Sequence, residues 1–200
     1  MSGGDTFDKE MHDVDWTAMY ERQAARSGDL TGRFCDLLGL EAGDNVLELG
    51  SGPGYTTSKL VENVSPGNVY AIDRHPGALR HLRETVEQQT ARTHAVCGDV
   101  TALPVRSTEP IPTIAAFVLH HLTAPEAAID AIRSALPPRS PFLVAEYRPE
   151  AAGEVGPPLD HRLASAQIRE WLRDAGFVLT ESVSLPEEKY ALVSRRSDGT

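Results

Sequence analysis

The segment 45–64 constrains the fold of this chain more than any other stretch. It begins with a short apolar run, continues through Gly50, Gly52 and Gly54, and ends in residues 58–64, which have helical periodicity. Glycines leave backbone bare for a ligand, and the first turn of a helix offers unpaired N–H groups. The segment therefore predicts a strand, a ligand-binding turn and a helix.

The spacing of these glycines narrows the kind of ligand. Dinucleotide-binding turns have the pattern GxGxxG, whereas here Glu48 precedes Gly50, Gly52 and Gly54 in the pattern Glu-x-Gly-x-Gly-x-Gly. This pattern resembles the first motif of class I S-adenosylmethionine-dependent methyltransferases. The resemblance implies that this loop, Ser51 included, wraps the amino-acid half and the ribose of the cofactor. Taken alone, the motif is also compatible with a plain tight turn.

A carboxylate follows the second predicted strand. Residues 68–73 predict that strand, and Asp73 stands at its end, where two carboxylate oxygens suit the two hydroxyls of an adenosine ribose. The alternative is a helix cap, since Pro76 opens a helical pattern. The upstream glycine loop favours the ribose role, and the resemblance places Arg74 beside the cofactor as well.

A second carboxylate follows the third predicted strand, residues 93–97. Gly98, Asp99 and Val100 begin a stretch that resembles the family's Gly-Asp-x-x-x-Leu-Pro segment. The resemblance implies that Asp99 accepts a hydrogen bond from the adenine amino group and that the Val100 N–H meets a ring nitrogen. Without the family, Gly-Asp is an ordinary turn.

The fourth and fifth predicted strands carry the candidate catalytic residues. Residues 113–119 form the most apolar run, with Phe117 on the cofactor side, and they lead into His120 and His121. Residues 141–147 end in Glu146 and Tyr147, which are candidates to orient the acceptor. The strand is predicted to begin after residue 112, a proline that cannot donate to a sheet ladder.

Either histidine is a candidate general base, because imidazole titrates near neutral pH. Side chains alternate along a strand, so we expect His120 to face the crevice and His121 to begin the next turn. The alternative for each is a histidine that only packs at the pocket rim. Three of the other histidines, His75, His81 and His161, are expected at the surface.

Strands and helices alternate through five units, which predicts an α/β fold. The last two strands, residues 177–185 and 190–195, predict an antiparallel hairpin. The family resemblance implies a doubly wound, mainly parallel seven-stranded sheet with that hairpin at its edge. Ligands of such sheets bind at the carboxyl ends of the strands, where all the residues singled out above would meet.

Three local features are further expectations. Thr123 and Glu126 form a capping box that predicts a helix start. Arg139 and Ser140 replace a Gly-Gly turn of the family, which leaves the geometry of that turn open. Residues 148–162 are rich in proline and too long for an ordinary connection, which predicts a functional or mobile loop.

Length predicts one domain, residues 16–196, between a flexible N-terminal arm of residues 1–15 and a tail of residues 197–200. The formal net charge of −10 argues against a nucleic-acid partner. Cys35 and Cys97 have no metal-ligand spacing and are expected to be buried free thiols, and no metal is expected. No signal peptide or transmembrane run is present, so the prediction is a cytoplasmic protein without a membrane partner.

Within the family, His-His-Leu and Glu-Tyr resemble the small-molecule branch that includes quinone and arsenite methyltransferases, without the arsenite cysteines. The resemblance implies S-adenosylmethionine as cofactor, a small-molecule methyl acceptor, and a monomer or homodimer. Residues 54–57 and 69–73 also resemble isoaspartyl-protein and tRNA-adenine methyltransferases, so a macromolecular acceptor stays open. A non-catalytic cofactor-binding partner is the third alternative.

Overall fold

The computed structural model describes residues 14–27, 30–86 and 92–198. Most of the predicted arm, residues 1–13, and the end of the predicted tail, residues 199–200, lie outside the described residues. Within them the chain forms six α-helices and seven strands. The helices are α1 (Trp16–Ser27), α2 (Leu30–Leu38), α3 (Tyr55–Val64), α4 (Pro76–Val86), α5 (Pro125–Ala135) and α6 (Ser165–Asp174). The strands are β1 (Val46–Leu49), β2 (Val69–Asp73), β3 (Thr93–Cys97), β4 (Thr113–Ala116), β5 (Pro141–Tyr147), β6 (Phe177–Leu185) and β7 (Lys189–Arg196).

One seven-stranded sheet with the order β3-β2-β1-β4-β5-β7-β6 organises these elements. The pairs from β3 to β5 are parallel, and β7 pairs antiparallel with both β5 and β6. The predicted α/β fold with an antiparallel edge hairpin is therefore confirmed. Because β1 has β2 on one side and β4 on the other, the strand order reverses at the carboxyl end of β1, where such sheets bind ligands.

Apolar side chains alternate across the sheet and build a core on each face. On one face, Leu47 of β1 belongs to a cluster with Ile129 of α5 and Ile168 of α6. On the other, Val46 belongs to a cluster with Phe34 of α2 and Leu60 of α3. The sheet is therefore covered on both sides.

Strand β4 is shorter than the predicted 113–119, because Phe117 adopts a left-handed backbone conformation with φ of 61° and leaves the pleat. The strand begins at Thr113, directly after Pro112, as predicted. The Pro112 carbonyl accepts a hydrogen bond from the Leu47 N–H of β1. The predicted capping box is wrong. Ala124 is the N-cap residue of α5, and no side chain caps this helix.

Arg139 supplies the turn before β5 by adopting a left-handed φ of 66°, a conformation that glycine adopts more readily. Cys35 is a buried free thiol, as expected. Cys97 is exposed instead, because β3 is an edge strand of the sheet. No helix among the described residues is long and apolar enough to cross a membrane.

Candidate active site

A crevice lies at the carboxyl ends of β1, β2 and β4, with about 1240 Å³ of empty space when the solvent at its mouth is included. Nine of the predicted site residues line the crevice. They are Glu48, Gly50, Ser51, Gly52, Asp73, Arg74, Val100, Phe117 and His121.

The glycine loop between β1 and α3 forms the floor of the crevice. Gly50, Gly52 and Gly54 have φ values of 69°, 54° and 99°, in the left-handed region that favours glycine. A Cβ atom at Gly50 would lie 2.3 Å from Val118, whereas one at Gly52 would meet only Gln23 Nε2, at 3.9 Å. Gly50 therefore allows the loop to pack, while Gly52 leaves backbone open toward the crevice.

Asp73, at the end of β2, holds the glycine loop in place. Its Oδ2 accepts a hydrogen bond of 2.8 Å from the Gly52 N–H, and its Oδ1 accepts one of 2.8 Å from the His75 N–H. A carboxylate oxygen has lone pairs for a further donor, so both oxygens can still accept from a ligand. The carboxylate thus ties two loops together at the place where the sequence predicts a ribose.

Glu48 is buried beneath the loop, with 3% of its surface exposed. Burial raises its pKa to about 8, and the nearby Asp73 charge acts in the same direction. The Thr57 hydroxyl donates a hydrogen bond of 2.5 Å to Glu48 Oε2, which opposes the shift. Near neutral pH, Glu48 is therefore a largely protonated carboxyl group in the crevice wall.

Ser51 presents a buried hydroxyl to the same region. Its Oγ is buried and has no hydrogen-bond partner among the described residues. An unpartnered buried hydroxyl costs stability, and a polar ligand in the crevice would remove that cost.

The wall beyond β3 is formed by Gly98 and Val100, while Asp99 does not line the crevice. Its Oδ1 accepts hydrogen bonds of 2.8 Å from both the Thr101 N–H and the Thr101 hydroxyl. The backbone bond from Thr101 is the main reason why the pKa of Asp99 lies below its ordinary value. The structure thus gives Asp99 a local role in its turn, and its predicted contact with adenine stays a prediction.

The two histidines have the opposite orientation to the one expected. Leu119–His121 is a single turn of 3₁₀ helix instead of strand, so side chains do not alternate there. His121 lines the crevice, and His120 turns away from it. The ring centroids of the two lie 4.0 Å apart.

His120 forms a buried pair with Glu146 of β5. Its Nδ1–H donates a hydrogen bond of 2.6 Å to Glu146 Oε2, and the two side chains are 4% and 0% exposed. The bond fixes the orientation of the His120 ring. Glu146 lies behind the crevice wall, away from an acceptor in the crevice.

His121 lies at the mouth of the crevice, where the protein around it lowers its pKa to about 4. Desolvation is the main cause, followed by the basic groups of His120, His161, Arg74 and His75. His121 is therefore a neutral imidazole near neutral pH.

Phe117 and Tyr147 extend the wall away from the glycine loop. Phe117 lines the crevice, and the Tyr147 ring lies behind it with a centroid distance of 5.0 Å. Arg162 lies 5.4 Å from the centre of the Tyr147 ring, and the buried Lys189 lies 5.6 Å from it. Tyr147 therefore links the crevice wall to the loop 148–162.

Helices α1 and α2 roof the crevice through Trp16, Met19, Gln23, Leu30 and Phe34. Sequence analysis did not identify these roof residues. The signal available was the group of large apolar residues at the start of α1.

Tyr20 of α1 packs against Tyr55 and His81, with ring centroids 5.7 and 5.5 Å apart, which attaches the roof to α3 and α4.

The expectation that His75 and His81 lie at the surface is wrong. His75 lines the crevice beside Trp16, and His81 is half-buried against the Pro53 carbonyl. No group of three potential metal ligands occurs in the part of the chain that the structure describes.

Comparison with known proteins places this crevice in context. Residues 46–139 match a family model described as a methyltransferase domain. Over 80 residues the chain is 36% identical to a protein-L-isoaspartate O-methyltransferase of Aeropyrum pernix. The alignment covers 38% of this chain and 31% of the relative. Over 98 residues it is 33% identical to a malonyl-[acyl-carrier protein] O-methyltransferase of Halorhodospira halophila, with 42% and 32% covered. The chain thus spans about a third of the length of these relatives.

The fold has a solved counterpart in a SAM-dependent methyltransferase from Aquifex aeolicus. The two superimpose with a TM-score of 0.80 at 19% identity, over 92% of this chain and all of that one. The region that matches the methyltransferase-domain model, residues 46–139, contains the glycine loop and the ends of β1, β2 and β4.

Proposed function

We propose that this chain, a member of the class I S-adenosylmethionine-dependent methyltransferases, transfers a methyl group from that cofactor to a small-molecule acceptor. The observation that carries the proposal is the crevice at the strand ends, which joins a bare glycine loop to an apolar roof.

The residues of the crevice fit the cofactor. The open backbone at Gly52 and the unpartnered Ser51 hydroxyl are suited to its polar amino-acid half. Asp73 is suited to the ribose hydroxyls and Val100 to the adenine, with Arg74 nearby. Glu48 is suited to the ammonium group, which as a cation favours the ionised form of this carboxyl.

When bound, S-adenosylmethionine supplies a methyl group on a sulfonium, and transfer is an in-line displacement. The contribution of the protein is to hold the acceptor close and to exclude water. Trp16, Met19 and Phe34 exclude water from above, and Phe117 does so from the side. We propose that the buried pair of Glu146 and His120 positions His121 against the acceptor.

A macromolecular acceptor is the second candidate, because two of the relatives are named protein-L-isoaspartate O-methyltransferases. The apolar roof favours the small molecule, since helices α1 and α2 cover the crevice from above. We also propose that the protein is a monomer or a homodimer and that residues 16–196 form a single domain.

Titration calorimetry with S-adenosylhomocysteine and NAD tests cofactor binding. We expect heat with the first ligand only, and Asp73→Ala should weaken binding by about 1.5–3 kcal/mol, the usual loss for a hydrogen bond to a charged group. Asp99→Ala is the matched control and should lose less than about 1 kcal/mol, because Asp99 bonds within its own turn. Heat with NAD alone would refute the proposal.

A further inference from the structure

The charges around His121 are not distributed like those of the rest of the chain. The protein has a formal net charge of −10. Yet the neighbours that act most on His121 are the basic groups of His120, His161, Arg74 and His75. Three residues of this basic cluster, namely Arg74, His75 and His121, line the crevice.

Two acidic groups near this cluster already accept hydrogen bonds from the protein. Glu146 accepts hydrogen bonds from the ring and the backbone N–H of His120. Asp73 accepts from the backbone N–H groups of Gly52 and His75. The mouth of the crevice therefore combines the Arg74 guanidinium with the N–H donors of His75 and His121, an arrangement that can bind an anion.

General-base chemistry has weak support at this position. His120 uses Nδ1 to donate to Glu146, and it does not line the crevice. His121 does line it, but with a pKa of about 4 it is a poor proton acceptor near neutral pH. An acceptor that arrives already ionised needs no base.

We propose that the acceptor is a small carboxylic acid, whose carboxylate binds beside His121 and Arg74 while its apolar body lies against Trp16, Met19 and Phe34. This inference rests on the proposed methyl transfer and names the group that is methylated. A carboxylate oxygen forms the new O–CH₃ bond as the bond from methyl to sulfur breaks. The electron pair of that bond goes to sulfur. The products are a methyl ester and S-adenosylhomocysteine, and no proton leaves the acceptor.

Base treatment of the labelled product distinguishes a methyl ester from other products. The full chain is incubated with tritiated-methyl S-adenosylmethionine and the low-molecular-weight fraction of an extract from the organism that carries the gene. Mild alkali hydrolyses a methyl ester and releases volatile methanol, whereas N-methyl, C-methyl and ether products keep the label.

The inference expects label in the small-molecule fraction that becomes volatile in alkali. Label that resists alkali would overturn the carboxylate while leaving the proposed methyltransferase activity intact. Absence of any transferred label, from a protein that binds S-adenosylhomocysteine, would overturn both.

Variants test whether the carboxylate of the acceptor binds beside His121. We expect His121→Ala to slow formation of the alkali-labile product by roughly 10- to 100-fold, as for loss of a hydrogen bond to a charged group. Its affinity for S-adenosylhomocysteine should change less than about twofold. His94→Ala on the edge strand β3 is the control, because His94 packs on Tyr70 away from the crevice. Equal rates for His121→Ala and the control would contradict the assigned position.

Discussion

At the scale of single residues, burial makes Glu48 a proton-holding group in the folded state. Its pKa is about 8 in the fold, whereas an exposed carboxyl titrates near 4.5. Between these values the folded chain binds more protons than the unfolded chain, so the free energy of unfolding decreases as pH rises. His121 acts oppositely at lower pH, because its depressed pKa makes the folded chain bind fewer protons there.

We predict that Glu48→Gln removes a pH dependence of stability. In the parent, ionisation of Glu48 lowers the free energy of unfolding as pH rises from about 4.5 to about 8, by up to about 1.4 kcal/mol per pH unit. Glutamine does not titrate, and it can still accept from Thr57. Urea denaturation at several pH values measures the slope. Glu62→Gln, at an exposed position of α3, is the control and should keep the parent slope.

The pair of His120 and Glu146 leads to a stability prediction. His120→Ala leaves Glu146 buried without its imidazole partner, and breaking a buried pair in this way typically costs about 3–5 kcal/mol. We expect a correspondingly lower melting temperature, measured by thermal unfolding. Adding Glu146→Gln to His120→Ala should restore part of the loss, because a neutral amide is cheaper to bury. A melting temperature equal to that of the parent would show that the pair contributes little.

At the scale of elements, the glycine loop shows that glycines in one motif serve different purposes. A Cβ at Gly54 would lie 2.8 Å from Leu82 of α4, so this glycine allows α3 and α4 to pack. At Gly52 the space is open to the crevice. The motif therefore combines a packing requirement with a binding requirement.

Substitutions at the two glycines should separate these effects. We predict that Gly52→Leu abolishes binding of S-adenosylhomocysteine while the chain stays folded, because the side chain would project into the crevice. Its left-handed φ adds a cost of about 1 kcal/mol. Gly54→Ala should lower the melting temperature more, because Leu82 must also move. Calorimetry and thermal unfolding measure the two quantities, and tight binding by Gly52→Leu would place the cofactor elsewhere.

The loop 148–162 is organised around one buried guanidinium. Arg162 donates to the carbonyl oxygens of Arg148, Val155 and Pro157, and to Glu188 Oε2 at 2.7 Å. Glu188 itself adopts a left-handed φ of 63° in the turn between β6 and β7. The ion pair therefore holds the loop and this turn together beside Tyr147.

We predict that Arg162→Gln lowers the free energy of unfolding by about 1–3 kcal/mol, since it leaves three partly buried carbonyl groups and Glu188 without their donor. Trypsin should then cleave faster after Arg148. Arg173→Gln, at an exposed site on α6, is the control and should change neither quantity. Unchanged proteolysis of Arg162→Gln would show that other contacts order the loop.

At the scale of the whole molecule, ligand binding and folding are linked. Segments between Trp16 and Leu122 form the crevice together, so the site exists only in the folded chain. We predict that S-adenosylhomocysteine at 100 times its dissociation constant adds about 2.7 kcal/mol to the free energy of unfolding. For a chain of this size that raises the melting temperature by roughly 5–11 °C. A thermal shift series over ligand concentration measures it, with NAD as the inactive control. No shift at saturating ligand would contradict a site made from several elements.

The sequence by itself determined the order of elements and the cofactor-binding motifs. Strands β3, β5 and β6 have the predicted bounds, because a glycine or a proline marks an end of each strand. The glycine loop and Asp73 were predicted to meet because parallel strands place their carboxyl ends together. These are local or topological properties, which periodicity and spacing encode.

Only the tertiary structure decided which side chains face the crevice. The left-handed φ of Phe117 ends β4 early, and this reversed the expected orientation of His120 and His121. The pairing of His120 with Glu146, 26 residues away, depends on the neighbouring positions of β4 and β5. The sequence pattern could not reveal either result, because side-chain direction at a strand end depends on a single backbone dihedral and on contacts between distant segments.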